Sequence, residues 1–290
     1  MSRHRLTAKL TPYLLALPGW LWLVIFFVVP AFVMLSVSTQ TGDIVSGFTQ
    51  TFHWRNYSDA WSLYHVQFVR SIMYGLVATV LCLMIAYPVA FWIAFHGGTH
   101  KSSLLFLLLL PFFVSFVIRT QSWNFILSDN GMVLSPLRRW GIVGQNFEIL
   151  QTPVAVIGGL TYNFLPFMVL PIYVALERVD PALLEASADL YATKAAAFVK
   201  VVFPLSMPGV FAGVLLTFVP ATADYVNAAI LGGNKTTMIG NIIQTEFFTN
   251  LNYPTASALS FMLMGGLLIG VFAYARALGT EDVFGAVARA

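Results

Sequence analysis

The chain has 290 residues, of which 58% are hydrophobic and 9% are charged, and its formal net charge is +3. A soluble domain carries about 25% charged residues, so this composition excludes an ordinary water-soluble protein and indicates that lipid is the solvent for much of the chain. The few charges form no basic face for nucleic acid, and the single cysteine, Cys82, excludes a disulfide framework or a cysteine-based metal cage within one chain.

Six long stretches without Asp, Glu, Lys or Arg predict the membrane-spanning segments. They lie between Lys9 and Asp43, Arg70 and Lys101, Lys101 and Arg119, Glu148 and Glu177, Lys200 and Asp224, and Glu246 and Arg276. All but the third exceed the ~20 residues that cross a hydrocarbon core, and the third is near the lower limit of ~17. Because a spanning segment must satisfy its own backbone polar groups, we predict an all-α polytopic membrane protein with six transmembrane helices.

The first stretch follows Arg3, Arg5 and Lys9, as the hydrophobic part of a signal peptide would. Its apolar part, residues 14–35, is longer than the ~7–15 residues of such a signal, so we interpret it as a retained anchor helix, with cleavage as the alternative. With the N-terminus inside, the inner segments hold nine of the Lys and Arg residues and the outer segments hold six. This bias favours an orientation with both termini in the cytoplasm.

We expect a single transmembrane domain over residues 1–290, with a core at 66–276 and a cytoplasmic loop at 177–205. Prolines in or beside the spans predict kinked or broken helices, although ordinary proline usage in membrane helices is an equally good explanation for any one of them. These prolines are Pro18, Pro30, Pro88, Pro111, Pro166, Pro171 and Pro220.

The loop between the fourth and fifth spans predicts two short helices that form an elbow parallel to the membrane. Asp180 followed by Pro181 is typical of a helix N-cap with proline at the first helical position. Thr193 can cap a second helix, which we expect to end at Pro204. One side of the first helix is mostly apolar, which suits docking to a protein; it carries Leu183, Leu184, Ser187 and Leu190.

The elbow also contains a motif with fixed spacing. Its residues are Glu185, Ala186, Ser187, Asp189, Leu190, Tyr191 and Pro204. The motif resembles the cytoplasmic loop of the permeases of binding-protein-dependent ABC importers, which reads Glu-Ala-Ala, three residues, Gly, nine residues, Ile-x-Leu-Pro. In that family the loop couples the permease to its ATPase, so the resemblance implies this role for the matched residues. An amphipathic surface elbow with no special role is the alternative.

Tyr191 is the main departure from the family pattern, because it stands where the family has glycine. If that glycine adopts a left-handed turn, a tyrosine at the same position costs about 1–2 kcal/mol. The substitutions at Ser187, Val201 and Phe203 are conservative.

The resemblance extends to nearly the whole chain. Residues 118–123 and 129–131 resemble the third span and outer loop of polyamine permeases. Residues 224–226 and 238–244 resemble other parts of the same permeases. This subgroup implies a small organic cation such as putrescine or spermidine as cargo. Relatives with other cargoes share much of the pattern, so an iron chelate, an organophosphonate or another small solute is the alternative.

The family resemblance also implies the partners and the location. It implies a second homologous permease subunit, two ATP-binding subunits, an extracytoplasmic solute-binding protein and residence in the lipid of the bacterial inner membrane. No G-x-x-x-x-G-K-[ST] motif occurs in the sequence, so ATP is expected to be bound and hydrolysed by the partner subunits. We expect this chain to bind no cofactor and no nucleic acid and to be no enzyme.

Four residues are candidates for the transport path, namely Asp224, Tyr225, Glu246 and Trp123. A carboxylate beside an aromatic ring can hold an ammonium group by a charge-assisted hydrogen bond and cation–π attraction. The alternatives are a structural cap for Asp224, an interfacial position for Glu246 and an interfacial belt for Trp123.

Other function classes have less support in the sequence. No catalytic or metal-binding cluster is predicted, since His96 and His100 are separated by two glycines that break the helical register. A secondary transporter or channel needs coupling-ion or filter residues, and the spans are nearly free of ionisable groups apart from Asp224.

Overall fold

The computed structural model describes residues 15–144 and 146–277, and these are mostly helical. The basic segment with Arg3, Arg5 and Lys9, both chain termini and the tail from residue 279 lie outside the described residues. The helices are α1 Leu15–Ser38, α2 Arg55–His96, α3 Lys101–Leu109, α4 Phe116–Leu127, α5 Leu134–Arg139, α6 Pro153–Glu177, α7 Pro181–Asp189, α8 Lys194–Ala223, α9 Val226–Ile230, α10 Ile239–Gln244 and α11 Tyr253–Ala277.

Five of the described helices are long and apolar enough to cross a membrane, namely α1, α2, α6, α8 and α11. The third predicted stretch is not one straight helix. The segment Gly98–Phe113, which contains α3, meets α4 at an angle of 88°. Val114 and Ser115 adopt extended backbone at this break, just after Pro111, which has no N–H to continue a helical ladder. The count is therefore five spans, or six if the bent pair forms one.

Helix α2 is longer than the sequence indicated. It begins at Arg55, well before the charge-free stretch that starts after Arg70, and it has 42 residues. At 1.5 Å per residue it is about 63 Å long, roughly twice the thickness of a hydrocarbon core of ~30 Å. Helix α2 is therefore longer than is needed to cross the hydrocarbon core of a membrane.

By contacts, the described chain divides into two units, and the first comprises residues up to Leu63 together with Ile243–Gly265. Its strands β1, Gln40–Asp43, and β2, Gly47–Gln50, form an antiparallel hairpin. The amide Nδ2 of Asn56 donates to the carbonyls of Ser38 and Gln40 at 2.9 and 2.8 Å. These bonds fix the start of α2 to the end of α1 and to strand β1. The apolar side chains of α1 are exposed along most of its length.

The second unit comprises Tyr64–Ile242 and the chain from Gly266 onward. Its core lies between α2, α6 and α8, and a row of small residues on α2 faces that core. Ala78, Cys82, Ala86 and Ala90 recur every fourth residue and are fully buried. Small residues at this spacing let membrane helices approach closely, so dispersion contacts replace the hydrophobic effect that lipid cannot supply.

Two glycines on α8 permit its close packing against α6. A Cβ at Gly209 would lie 2.5 Å from both the Ala175 Cβ and the Pro171 carbonyl oxygen. A Cβ at Gly213 would lie 2.8 Å from the Met168 sulfur. Gly209 and Gly213 form a G-x-x-x-G pattern, a signal of helix pairing that the sequence analysis missed.

Candidate functional site

Helix α7 forms the first arm of the elbow, and its start is built as predicted. The Asp180 side chain accepts a hydrogen bond from the backbone N–H of Ala182 at 2.9 Å, and Pro181 occupies the first helical turn. The predicted N-cap is therefore confirmed. This cap satisfies one of the N–H groups that a helix start leaves without an intrahelical partner.

The apolar side of α7 is only partly covered. Leu184 and Ser187 are half-buried, and Leu184 packs against the core of the second unit. Leu183 is exposed and Leu190 is 81% exposed. The motif residue Glu185 is exposed, as are Ala186 and Asp189. The elbow thus presents apolar side chains and carboxylates together on one exposed segment.

The turn after α7 has the left-handed conformation that the family glycine suggests. Tyr191 has φ +57°, and its side chain is 96% exposed. The N–H of Ala192 donates to the Ser187 carbonyl at 3.0 Å, and the N–H of Tyr191 donates to the Ala188 carbonyl at 2.9 Å. This pair of bonds is the Schellman arrangement that usually places glycine at the left-handed position. Tyrosine therefore keeps the turn and bears the steric cost of its Cβ.

The second arm differs from the prediction at its end. Thr193 caps it as expected, accepting from the N–H of Ala196 at 3.2 Å. The helix does not stop at Pro204, however, and α8 runs on to Ala223. Pro204 lies in the first turn after a π-helical segment, Phe198–Val202, where the backbone is already out of the α-helical hydrogen-bond pattern. The expectation of a helix end at Pro204 was therefore wrong.

Aromatic packing ties this arm to α2. The ring of Phe198 lies edge-on to Tyr87 at 5.7 Å and to Phe91 at 5.8 Å between centroids. The Tyr87 hydroxyl and the Ser206 hydroxyl are 2.8 Å apart. The start of α8 is thus held by both ring contacts and a hydrogen bond.

Asp224 lies directly after α8 and is only 8% exposed. Its Oδ1 accepts from the backbone N–H of Asn227 at 2.8 Å and from Asn227 Nδ2 at 3.2 Å. Among the residues that the structure describes, no basic side chain forms an ion pair with it. The carboxylate therefore caps α9, as the structural alternative expected, and it is also a buried acid with no counter-ion.

Two buried asparagines near Asp224 were missed by the sequence analysis. Asn163 on α6 donates through Nδ2 to Thr120 Oγ1 and to Asn227 Oδ1, at 3.0 Å each. Asn163, Asn227 and Thr120 are fully buried. A lone asparagine inside an apolar stretch of spanning length is the signal that identifies such a residue, because lipid offers it no partner.

The other path candidates have different surroundings. Tyr225 is about half-exposed, and its carbonyl accepts from Asn241 Nδ2 at 2.7 Å. Trp123 on α4 is half-buried and lies edge-on to Tyr162 at 5.3 Å. Glu246 belongs to the first unit, where it is buried and accepts from Asn250 Nδ2 at 3.0 Å. Asp224, Tyr225 and Trp123 therefore share one unit, to which Glu246 does not belong.

Arg119 is a buried base in the first turns of α4. It is 7% exposed, and its guanidinium carbon lies 4.2 Å from the ring centroid of Phe112. Its Nε and Nη1 are buried and find no hydrogen-bond partner among the described residues. The guanidinium group thus contacts the Phe112 ring by cation–π attraction. No group of three or more His, Cys, Asp or Glu in the described part of the chain is arranged to hold a metal ion.

The known proteins that this chain resembles are membrane components of transport systems. No protein-family profile matches the sequence. The chain is 37% identical over 257 residues to the spermidine/putrescine transport system permease protein PotB of Haemophilus influenzae, a match that covers 88% of this chain and 90% of that protein. It is 35% identical over 254 residues to PotB of Escherichia coli, a match that covers 87% of this chain and 92% of that protein. Its fold resembles that of a bacterial ABC transporter for the acidic polysaccharide alginate, with a TM-score of 0.69 and 18% identity over 94% of this chain and 98% of that one.

Proposed function

Because the chain belongs to the family of spermidine/putrescine permeases of ABC importers, we propose that it is the subunit through which a polyamine crosses the inner membrane. The observation that carries this function is the identity of 35–37% to two PotB proteins over 87–88% of the chain. Putrescine and spermidine are the cargo that this similarity supports.

The proposed machine needs partners besides this chain. One solved alginate transporter is in complex with a periplasmic protein that carries the alginate. By analogy, an extracytoplasmic solute-binding protein delivers the polyamine here. A second homologous permease completes the path, and two ATP-binding subunits hydrolyse ATP in the cytoplasm. Both termini and the loop at 177–205 then face the cytoplasm.

Coupling between ATP hydrolysis and the path is proposed to run through the elbow. The exposed Glu185 and its apolar neighbours dock on an ATP-binding subunit. Because α8 is one helix from Lys194 to Ala223, a displacement of the elbow moves the whole of α8 as a rigid unit. The contacts of Phe198 with Tyr87 pass the same movement to α2.

Asp224 is proposed to contact the cationic cargo. A buried carboxylate without a counter-ion is costly, and an ammonium group of the cargo would remove that cost through a charge-assisted hydrogen bond. Tyr225 beside it offers an aromatic ring that can attract the same cation.

Arg119 favours a second candidate, the same machine with an anionic cargo such as an organophosphonate or an iron chelate. A phosphonate or carboxylate can form bidentate hydrogen bonds with a guanidinium group. The similarity to PotB favours the polyamine, and competition between the two cargo classes separates the candidates.

Uptake into membrane vesicles tests the proposal. Vesicles that contain the full complex and internal ATP are given radiolabelled putrescine and the binding protein. We expect uptake that needs ATP and that unlabelled spermidine, but not a phosphonate, inhibits. Uptake driven by an ion gradient without ATP would instead identify a secondary transporter, and inhibition by the phosphonate alone would identify an anionic cargo.

A further inference from the structure

A chain of hydrogen bonds links four side chains, beginning with Thr120 on α4 and ending with Asp224. Asn163 Nδ2 lies 3.0 Å from Thr120 Oγ1 and 3.0 Å from Asn227 Oδ1. Asn227 Nδ2 lies 3.2 Å from Asp224 Oδ1. The chain joins α4, α6 and the segment after α8, and all four side chains are buried.

The Thr120 hydroxyl fixes which groups donate and which accept along this series of hydrogen bonds. The Thr120 hydroxyl donates its only hydrogen to the Phe116 carbonyl, at 3.0 Å. Its oxygen can therefore only accept, so the group of Asn163 that faces it must be the NH₂. That NH₂ has two hydrogens, and the second one is directed to Asn227 Oδ1.

This direction sets the orientation of Asn227. An asparagine amide can rotate by half a turn and exchange its oxygen with its nitrogen. A rotated Asn227 would turn its NH₂ to the NH₂ of Asn163 and its oxygen to the carboxylate of Asp224. Both new contacts would be repulsive, so Asn163 keeps the NH₂ of Asn227 directed at Asp224.

The approach of α6 to this segment is close. A Cβ at Gly159 would lie 2.7 Å from Asn227 Oδ1, so glycine is needed where α6 passes Asn227. Both hydrogen bonds from Asn227 end on Oδ1 of Asp224, and neither engages Oδ2. The backbone N–H of Val226 is a further donor to this carboxylate, so all three hydrogen bonds come from the start of α9.

We propose that Asn163 and Asn227 are positioning residues for cargo binding, which hold the Asp224 carboxylate in the orientation in which it receives the ammonium group of the polyamine. This inference rests on the proposed function, in which Asp224 contacts the cargo. Asn163 acts through Asn227 and touches no cargo itself. The role differs from a purely structural link, which would tie the three segments together without affecting cargo affinity.

The variant Asn163→Asp tests the proposal, because it keeps the size of the side chain and removes both donors. Asn227 then turns its NH₂ towards the new carboxylate and its oxygen towards Asp224. We expect the KM for putrescine uptake by the full complex to rise about tenfold, with the maximal rate per assembled complex nearly unchanged. Asp224→Asn is expected to raise the KM by at least as much.

Asn124→Leu is the matched control. Asn124 Nδ2 donates to the Ile230 carbonyl at 2.8 Å, so this variant also removes a side-chain bond between α4 and the α9 segment, but outside the chain to Asp224. Its KM should stay that of the wild type. The amount of complex in the membrane is measured by immunoblot, so that rates are compared per assembled complex. An unchanged KM in Asn163→Asp with a raised KM in Asp224→Asn overturns the positioning role alone. An unchanged KM in Asp224→Asn overturns the proposed cargo contact, and equal KM changes in Asn163→Asp and Asn124→Leu indicate a structural link only.

Discussion

Tyr191 shows how a single residue departs from the family pattern while the turn is kept. Its φ of +57° is a conformation that most side chains avoid, and four non-glycine residues of the described chain adopt such values. The hydrogen bonds at the end of α7 enforce the turn. Strained backbone of this kind often lies at functional sites, and here it lies on the exposed elbow.

Replacement of Tyr191 by glycine should stabilise the turn relative to replacement by alanine. Alanine keeps the Cβ and its steric cost of about 1–2 kcal/mol, whereas glycine removes that cost but loses ~0.5–1 kcal/mol in chain entropy. We expect Tyr191→Gly to slow hydrogen exchange at the Ala192 amide by about two- to fivefold relative to Tyr191→Ala, after correction for intrinsic rates. Equal exchange in the two variants would show that the turn is not left-handed.

At the scale of elements, the contact between α6 and α8 depends on the two glycines of α8. Gly209 faces the backbone of α6 at Pro171, which cannot move aside as a flexible side chain can. The pair α6 and α8 also carries much of the buried core, including Met168 and Ile172. Helix α8 is therefore expected to lose its packing when a side chain is added there.

We predict that Gly209→Val destabilises the permease by about 1–3 kcal/mol, because overpacking forces the two helices apart. Gly270→Ala on α11 is the control, since a Cβ there meets nothing within 4 Å. It should be neutral or slightly stabilising, by up to ~1 kcal/mol. Thermal unfolding of the purified complex measures both. A Gly209→Val variant as stable as the wild type would contradict the close packing.

The sequence predicted those elements that depend on local chemistry. The caps at Asp180 and Thr193 follow from hydrogen bonds within a few residues, and the apolar stretches follow from the properties of lipid. A broken helix at Pro111 was one of two interpretations that the sequence left open, and the continuation past Pro204 was not predicted. Proline allows a break, a kink or a helix start, and the surrounding packing decides among them.

The candidate site was predicted less completely than the fold. The elbow was found because its residues are contiguous in sequence. The hydrogen bonds from Thr120 to Asp224 were not predicted, because these residues lie on three separate segments that only the tertiary structure brings together. Asp224 was identified by its charge, while the neutral Asn163 that orients its partner gave a weaker signal.

At the scale of the whole molecule, the permease is proposed to work as one subunit of a larger machine. The chain offers an exposed elbow, a continuous helix α8 and a buried acid. We propose that the effect of ATP hydrolysis in a partner reaches the transport path through the elbow, and this is the claim that most needs a test. Glu185 is the residue on which that claim depends most, because it is exposed and matches the family motif.

Glu185→Lys in the reconstituted complex tests this claim most directly. A carboxylate contact at a partly desolvated interface contributes roughly 1.5–3 kcal/mol, whereas an exposed helix residue contributes only ~0.2–0.5 kcal/mol through its neighbours. Lys194→Glu, a charge reversal at the start of the other arm, serves as the comparison. We expect Glu185→Lys to release the ATP-binding subunits or to abolish polyamine uptake per ATP hydrolysed, while the amount of permease in the membrane stays normal. Normal retention of the ATP-binding subunits together with normal substrate-stimulated hydrolysis and uptake would contradict it.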